Sequence, residues 1–70
     1  MTYRQFQNLQ PGDIIRGDEW GSQHAVRFIL DATEKRISFD LLRDGMVKRC
    51  CVDRTHLEWE CCWMKARVLK

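Results

Sequence analysis

The chain has no apolar run approaching the roughly 20 residues needed to cross a bilayer. Its first residues, Met1-Thr2-Tyr3-Arg4-Gln5-Phe6-Gln7, contain no apolar h-region of a secretory signal. These two absences predict a cytoplasmic protein with no membrane partner and with reduced cysteines. There is no repeat, low-complexity tract or interdomain linker, so residues 1–70 read as one domain. Catalytic motifs are missing as well: no Gly-x-Ser-x-Gly, no glycine-rich phosphate loop and no His-Glu-x-x-His. His24 and His56 stand outside any nucleophile motif, and the expectation is a non-enzyme that uses no cofactor. Strong charge is also lacking. The net charge of +2 is too small to imply nucleic acid, although the excess sits in residues 43–70, with seven Lys/Arg against four Asp/Glu.

What is present is strand-like alternation in a chain with little room for a core. A domain of this size buries only about 60% of the surface its unfolded chain exposes. The clearest unit runs from Arg36 to Val52. Ile37, Phe39 and Leu41 alternate with Arg36, Ser38 and Asp40, as in a strand with one buried face. Asp44-Gly45 supplies the turn, because Gly takes positive φ freely and Asp tolerates it. Met46 to Val52 then folds back antiparallel.

Around that hairpin the remaining elements are short. Thr2 caps one helical turn carrying Tyr3 and Phe6, which Gln10-Pro11-Gly12-Asp13 ends. Ile14-Ile15-Arg16 is a strand, and residues 17–23 form a loop in which Trp20 folds back as a lid. In Ala25 to Ala32 the alternation places Val26, Phe28, Leu30 and Ala32 inward, with Arg27, Ile29 and Asp31 outward. Asp53 to Glu58 is a connector with one helical turn capped by Asp53 or Thr55. A last strand from Glu60 to Leu69 turns Cys62, Met64, Ala66 and Val68 inward and Trp63, Lys65 and Arg67 outward, and Trp59 plugs the end of the core.

Five short strands with short connections predict an all-β, strongly bent small barrel with a short N-terminal helical turn. The segment Leu9-Gln10-Pro11-Gly12-Asp13-Ile14-Ile15 resembles the entry to the first strand of SH3-like barrels. That resemblance implies an SH3-like fold and a habit of binding peptides or nucleic acids. Gly12-Asp13-Ile14-Ile15, followed by Gly21-Ser22-Gln23 and Val26, also resembles the start of the barrel-shaped ribonuclease toxins of toxin–antitoxin pairs. There an Arg stabilises charge on the cleaved phosphate, and Arg27 would take that place. The proline that usually follows in that family is missing, and the chain is short for its fold.

Two adjacent cysteine pairs, Cys50-Cys51 and Cys61-Cys62, raise metal binding. Neighbours on a strand point to opposite faces, and zinc knuckles space their cysteines two to four apart, so Cys50 and Cys62 read as small core residues. A zinc site would need one cysteine of each pair with His56 and Asp53, and no metal is expected. The outward set is the richer one. Arg27, Arg36, Arg49, Lys65 and Arg67 surround Trp63 on a basic, aromatic face, with Ile29 and Leu42 adding apolar area. Trp and Arg dominate protein hot spots, and a cation beside a stacking ring also suits single-stranded DNA or RNA. Against both stands plain solvation of the sheet, with Asp31, Asp40 and Glu60 neutralising the cations across strands. The favoured reading is a non-catalytic protein-binding module. In size and type it resembles the small accessory and inhibitor proteins of bacteria and phages. The alternative is a nucleic-acid-binding module using the same face, and that face would also serve as a homodimer seam.

Overall fold

The computed structural model describes residues 1–18 and 22–69; Trp20, expected as a lid, lies outside them. The chain forms α1 (Tyr3–Gln7), β1 (Ile14–Arg16), β2 (Val26–Ala32), β3 (Arg36–Arg43), β4 (Met46–Asp53), α2 (His56–Cys62) and β5 (Arg67–Leu69). The five strands make one antiparallel sheet in the order β4-β3-β2-β1-β5. The predominantly β fold with a short N-terminal helix is therefore as the alternation predicts. Among the described residues the sheet does not close: β4 and β5 are its two edges. No helix among the described residues is long and apolar enough to cross a membrane.

Local chemistry sets most of these elements. Asp44 (φ 53°) and Gly45 (φ 76°) both take positive φ, the primed-turn geometry that matches the twist of flanking strands. In α1 the Thr2 hydroxyl accepts from the Gln5 amide at 3.1 Å, and the Gln5 side chain accepts from the Thr2 amide at 2.8 Å. In α2 the Thr55 hydroxyl accepts from the Glu58 amide at 3.1 Å. The Arg54 guanidinium donates to the Gln7 and Leu9 carbonyls and so ties the start of α2 to the end of α1. Burial lowers its pKa.

The expected strand from Glu60 to Leu69 is corrected. Residues 56–62 are helical, and only Arg67–Leu69 is strand. Trp59 and Trp63 are four apart, one helical turn, and Thr55-x-x-Glu58 is a capping pattern, so a helix turns both rings to one side, Trp63 buried and Trp59 partly buried. A strand would have put Cys62 and Trp63 on opposite faces; the helix end brings both against the core.

The parity of β2 is corrected too. Arg27 and Ile29 point inward, whereas Phe28 (40% exposed) and Leu30 (41%) face out. The register slips between Ile29 and Asp31: Ile29 faces Phe39, and Ala32 faces Ile37. This bulge flips the alternation, so Ala32 does reach the core while Val26, Phe28 and Leu30 do not. In β3 the expected inward residues hold: Ile37 and Phe39 are buried, and Leu41 packs against them.

The core lies between the sheet and the two helices. Phe6, Leu9, Ile15, Ile29, Ile37, Phe39, Trp63 and Ala66 form it. Trp63 sits 5.2 Å from both Phe6 and Phe39, ring centre to ring centre, with Phe39 edge-on. Trp59 is partly buried beside Tyr3, and its indole N–H donates to the Met1 carbonyl at 3.0 Å.

Candidate binding face

Of the six residues expected on an outward basic face, the structure separates two from the rest. Arg27 and Trp63 are buried, at 0% and 1% exposure. The Arg27 guanidinium carbon lies 4.1 Å from the centre of the Trp63 ring, and Nη2 donates to the Cys62 carbonyl at 2.7 Å. The carbonyl it takes belongs to the last residue of α2, where helix carbonyls lack intrahelical partners. Taking a guanidinium out of water is costly, and a cation over a desolvated ring returns about 2 kcal/mol. Arg27 and Trp63 thus pin α2 to the sheet and do not form part of an outer contact surface.

Arg36 and Arg49 are exposed, and each is answered across the ladder. Arg36 Nε lies 3.1 Å from Asp53 on β4, and Arg49 Nε lies 3.1 Å from Asp40 on β3. Both pairs join directly opposed residues. The neutralisation expected of Asp40 is present for Arg49; exposed pairs of this kind contribute little to stability.

Lys65 and Arg67 are exposed and meet residues that alternation alone did not single out. β1 pairs with β5 so that Arg16 faces Arg67 and Ile14 faces Leu69. The same rows continue into β2, with Arg16 opposite Val26 and Ile14 opposite Phe28. Opposed residues share a face, so the open side of the sheet carries Ile14, Phe28 and Leu69 beside Val26, Leu42 and Val47. At its β1–β5 end lies a groove of about 270 Å³ lined by Arg16, Gly17, Asp18, Gln23, Lys65 and Arg67. Positive φ at Gly17 and Asp18 turns the chain there, and an Asp18 carboxylate oxygen accepts from the Lys65 amide at 3.1 Å. The nearby Met1 ammonium donates to the Met64 and Ala66 carbonyls. Burial lowers its pKa, and Asp18 pushes it back up.

Cys50 and Cys62 are partly buried against the core, and Cys51 and Cys61 are exposed. Among the described residues no three His, Cys, Asp or Glu side chains are grouped as metal ligands. His56 lies 3.3 Å from Glu60 and packs edge-on against Tyr3.

Arg16 and Phe28 are the members of this face that the chain pattern hid. Ile14-Ile15-Arg16 offers two readings of parity, and only the burial of Ile15 shows that Arg16 turns out. Compared with known proteins, the chain matches no family model, no curated protein and no solved structure.

Proposed function

We propose that this chain is a small non-catalytic binding module of SH3-like type that engages a protein through the open face of its sheet. The observation that carries the reading is the exposure of Phe28 and Leu69, each at about 40%, on the same open side of the sheet as Arg16 and Arg67. Apolar side chains left in water beside arginines are what protein interfaces use at their centres. The strand order, with a helix between the last two strands and the last strand paired to the first, supports the SH3-like assignment. A module of this kind acts by occupying a surface of a larger partner, as accessory and inhibitor proteins do, and a cytoplasmic setting with reduced thiols belongs to the same reading.

A nucleic-acid reading draws on Arg16, Lys65 and Arg67 as phosphate contacts. It loses the ring it relied on, since Trp63 lies beneath the sheet and cannot stack on a base.

The test is a nuclease-treated pull-down with the parent chain and with a Phe28→Ser, Leu30→Ser double variant. A captured protein is then identified and its binding repeated with purified components. The reading expects a partner that binds the parent and not the variant. Equal binding by both overturns it, and a steep loss of affinity with salt for oligonucleotides would favour the alternative.

A further inference from the structure

The sheet treats its cross-strand arginines differently at its two sides. Toward β4, Arg49 faces Asp40 and Arg36 faces Asp53. Toward β5, Arg16 faces Arg67 directly, and like charges so placed repel. Lys65 adds a third cation to that groove. Its one carboxylate among the described residues, Asp18, is engaged by the Lys65 amide. The ion pairs among the described residues do not include Arg16, Lys65 or Arg67. The fold therefore brings three cations together here against one carboxylate, and none of the three forms an ion pair among those residues.

Resting on the protein-binding reading above, we infer that this groove anchors an acidic segment of the protein partner, whose carboxylates lie between Arg16 and Arg67. A guanidinium presents a planar fork that matches a carboxylate with two parallel hydrogen bonds, and two such forks face one another here. Apolar contacts continue from the same strands: Ile14 lies two residues from Arg16, and Leu69 two residues from Arg67, on the same face. Phe28 stands opposite Ile14. A segment with alternating acidic and apolar side chains meets cations at the groove and Ile14, Leu69 and Phe28 beyond it. The ligand class is an acidic, apolar-containing protein segment.

The experiment is an NMR titration of the isotope-labelled full chain with three probes. They are a blocked peptide alternating Asp with Leu, the same peptide with Asn for Asp, and oligodeoxythymidine of equal charge. The Asp peptide is expected to shift the amide signals of Arg16, Gly17, Gln23 and Arg67, and the Asn peptide is not. Arg67→Glu is expected to weaken the Asp peptide roughly tenfold or more. The same change should raise the melting temperature by a few degrees, because a carboxylate then faces Arg16. That rise also shows that the variant is folded. Absence of shifts with the Asp peptide overturns the inference, as does equal binding of the Asp and Asn peptides. Tighter binding of the oligonucleotide assigns the groove to phosphate and overturns it as well. If Phe28→Ser abolishes peptide binding and Arg67→Glu does not, the groove fails while the protein-binding face stands. If neither variant changes binding, both fail.

Discussion

Beneath the sheet one arginine is held by a ring and a carbonyl; above it two arginines face each other. Arg27 stacks over Trp63 and donates to Cys62, whereas Arg16 and Arg67 share a ladder position at the surface. The covered side also takes in Phe6, Ile15, Ile29, Ile37 and Phe39, while the open side leaves Phe28 and Leu69 partly in water. The difference separates cations that complete the fold from cations that await something outside it. A charge whose contacts are internal is a matter of stability. An opposed pair of like charges beside exposed apolar groups is a matter of recognition.

That division can be broken first at Trp63. Trp63→Ala removes the ring at the centre of the core and is expected to cost about 3–5 kcal/mol. Since whole-domain stability is roughly 0.05–0.15 kcal/mol per residue, this is a large share of the total, and the denaturant midpoint should fall steeply. Circular dichroism and a denaturant titration measure this; a cooperative transition near that of the parent would show that Trp63 does not hold the core.

Arg27→Lys asks whether the buried cation acts by charge or by shape. The ammonium keeps the charge but gives up the planar stack over Trp63. A loss of about 2 kcal/mol is expected, or roughly 10 °C in melting temperature. Full stability of the Lys variant would mean that the stack contributes little.

Thr55→Ala tests the helix that replaced the expected strand. Removing the hydroxyl that accepts from the Glu58 amide should cost about 1 kcal/mol. No loss on thermal melting would deny the capping role of Thr55.

Phe28→Ser is the contrasting change on the open side. Its stability should stay within about 0.5 kcal/mol of the parent, while partner binding falls. A large loss of stability would place Phe28 with the core residues and erase the contrast between the two faces.

How far these faces were legible in the chain varies by element. The β3–β4 hairpin was, because alternation over Ile37, Phe39 and Leu41 and the dihedrals of Asp44-Gly45 are local properties. Thr2 as a cap was legible for the same reason. Of the basic set, Arg36, Arg49, Lys65 and Arg67 were rightly read as exposed. Arg27 and Trp63 were not, for two separate reasons. Val26-Arg27-Phe28-Ile29-Leu30 has large side chains on both parities, so period alone favours neither face, and the bulge at Ile29/Asp31 then reverses the count. Residues 60–69 also alternate well enough for a strand; the turn capped by Thr55 was legible, and the four-residue spacing of Trp59 and Trp63 was the signal that it runs on to Cys62.

By itself the sequence determined the local units: the capped α1, the Pro11-Gly12 break and the primed turn at Asp44-Gly45, each set by the dihedral and hydrogen-bonding limits of a few neighbouring residues. Tertiary structure alone decided which face of β2 is covered, because that depends on which parity fills the space under α1 and α2. It also decided that Arg16 meets Arg67, since β1 and β5 lie about fifty residues apart in the chain and come together only when the sheet forms.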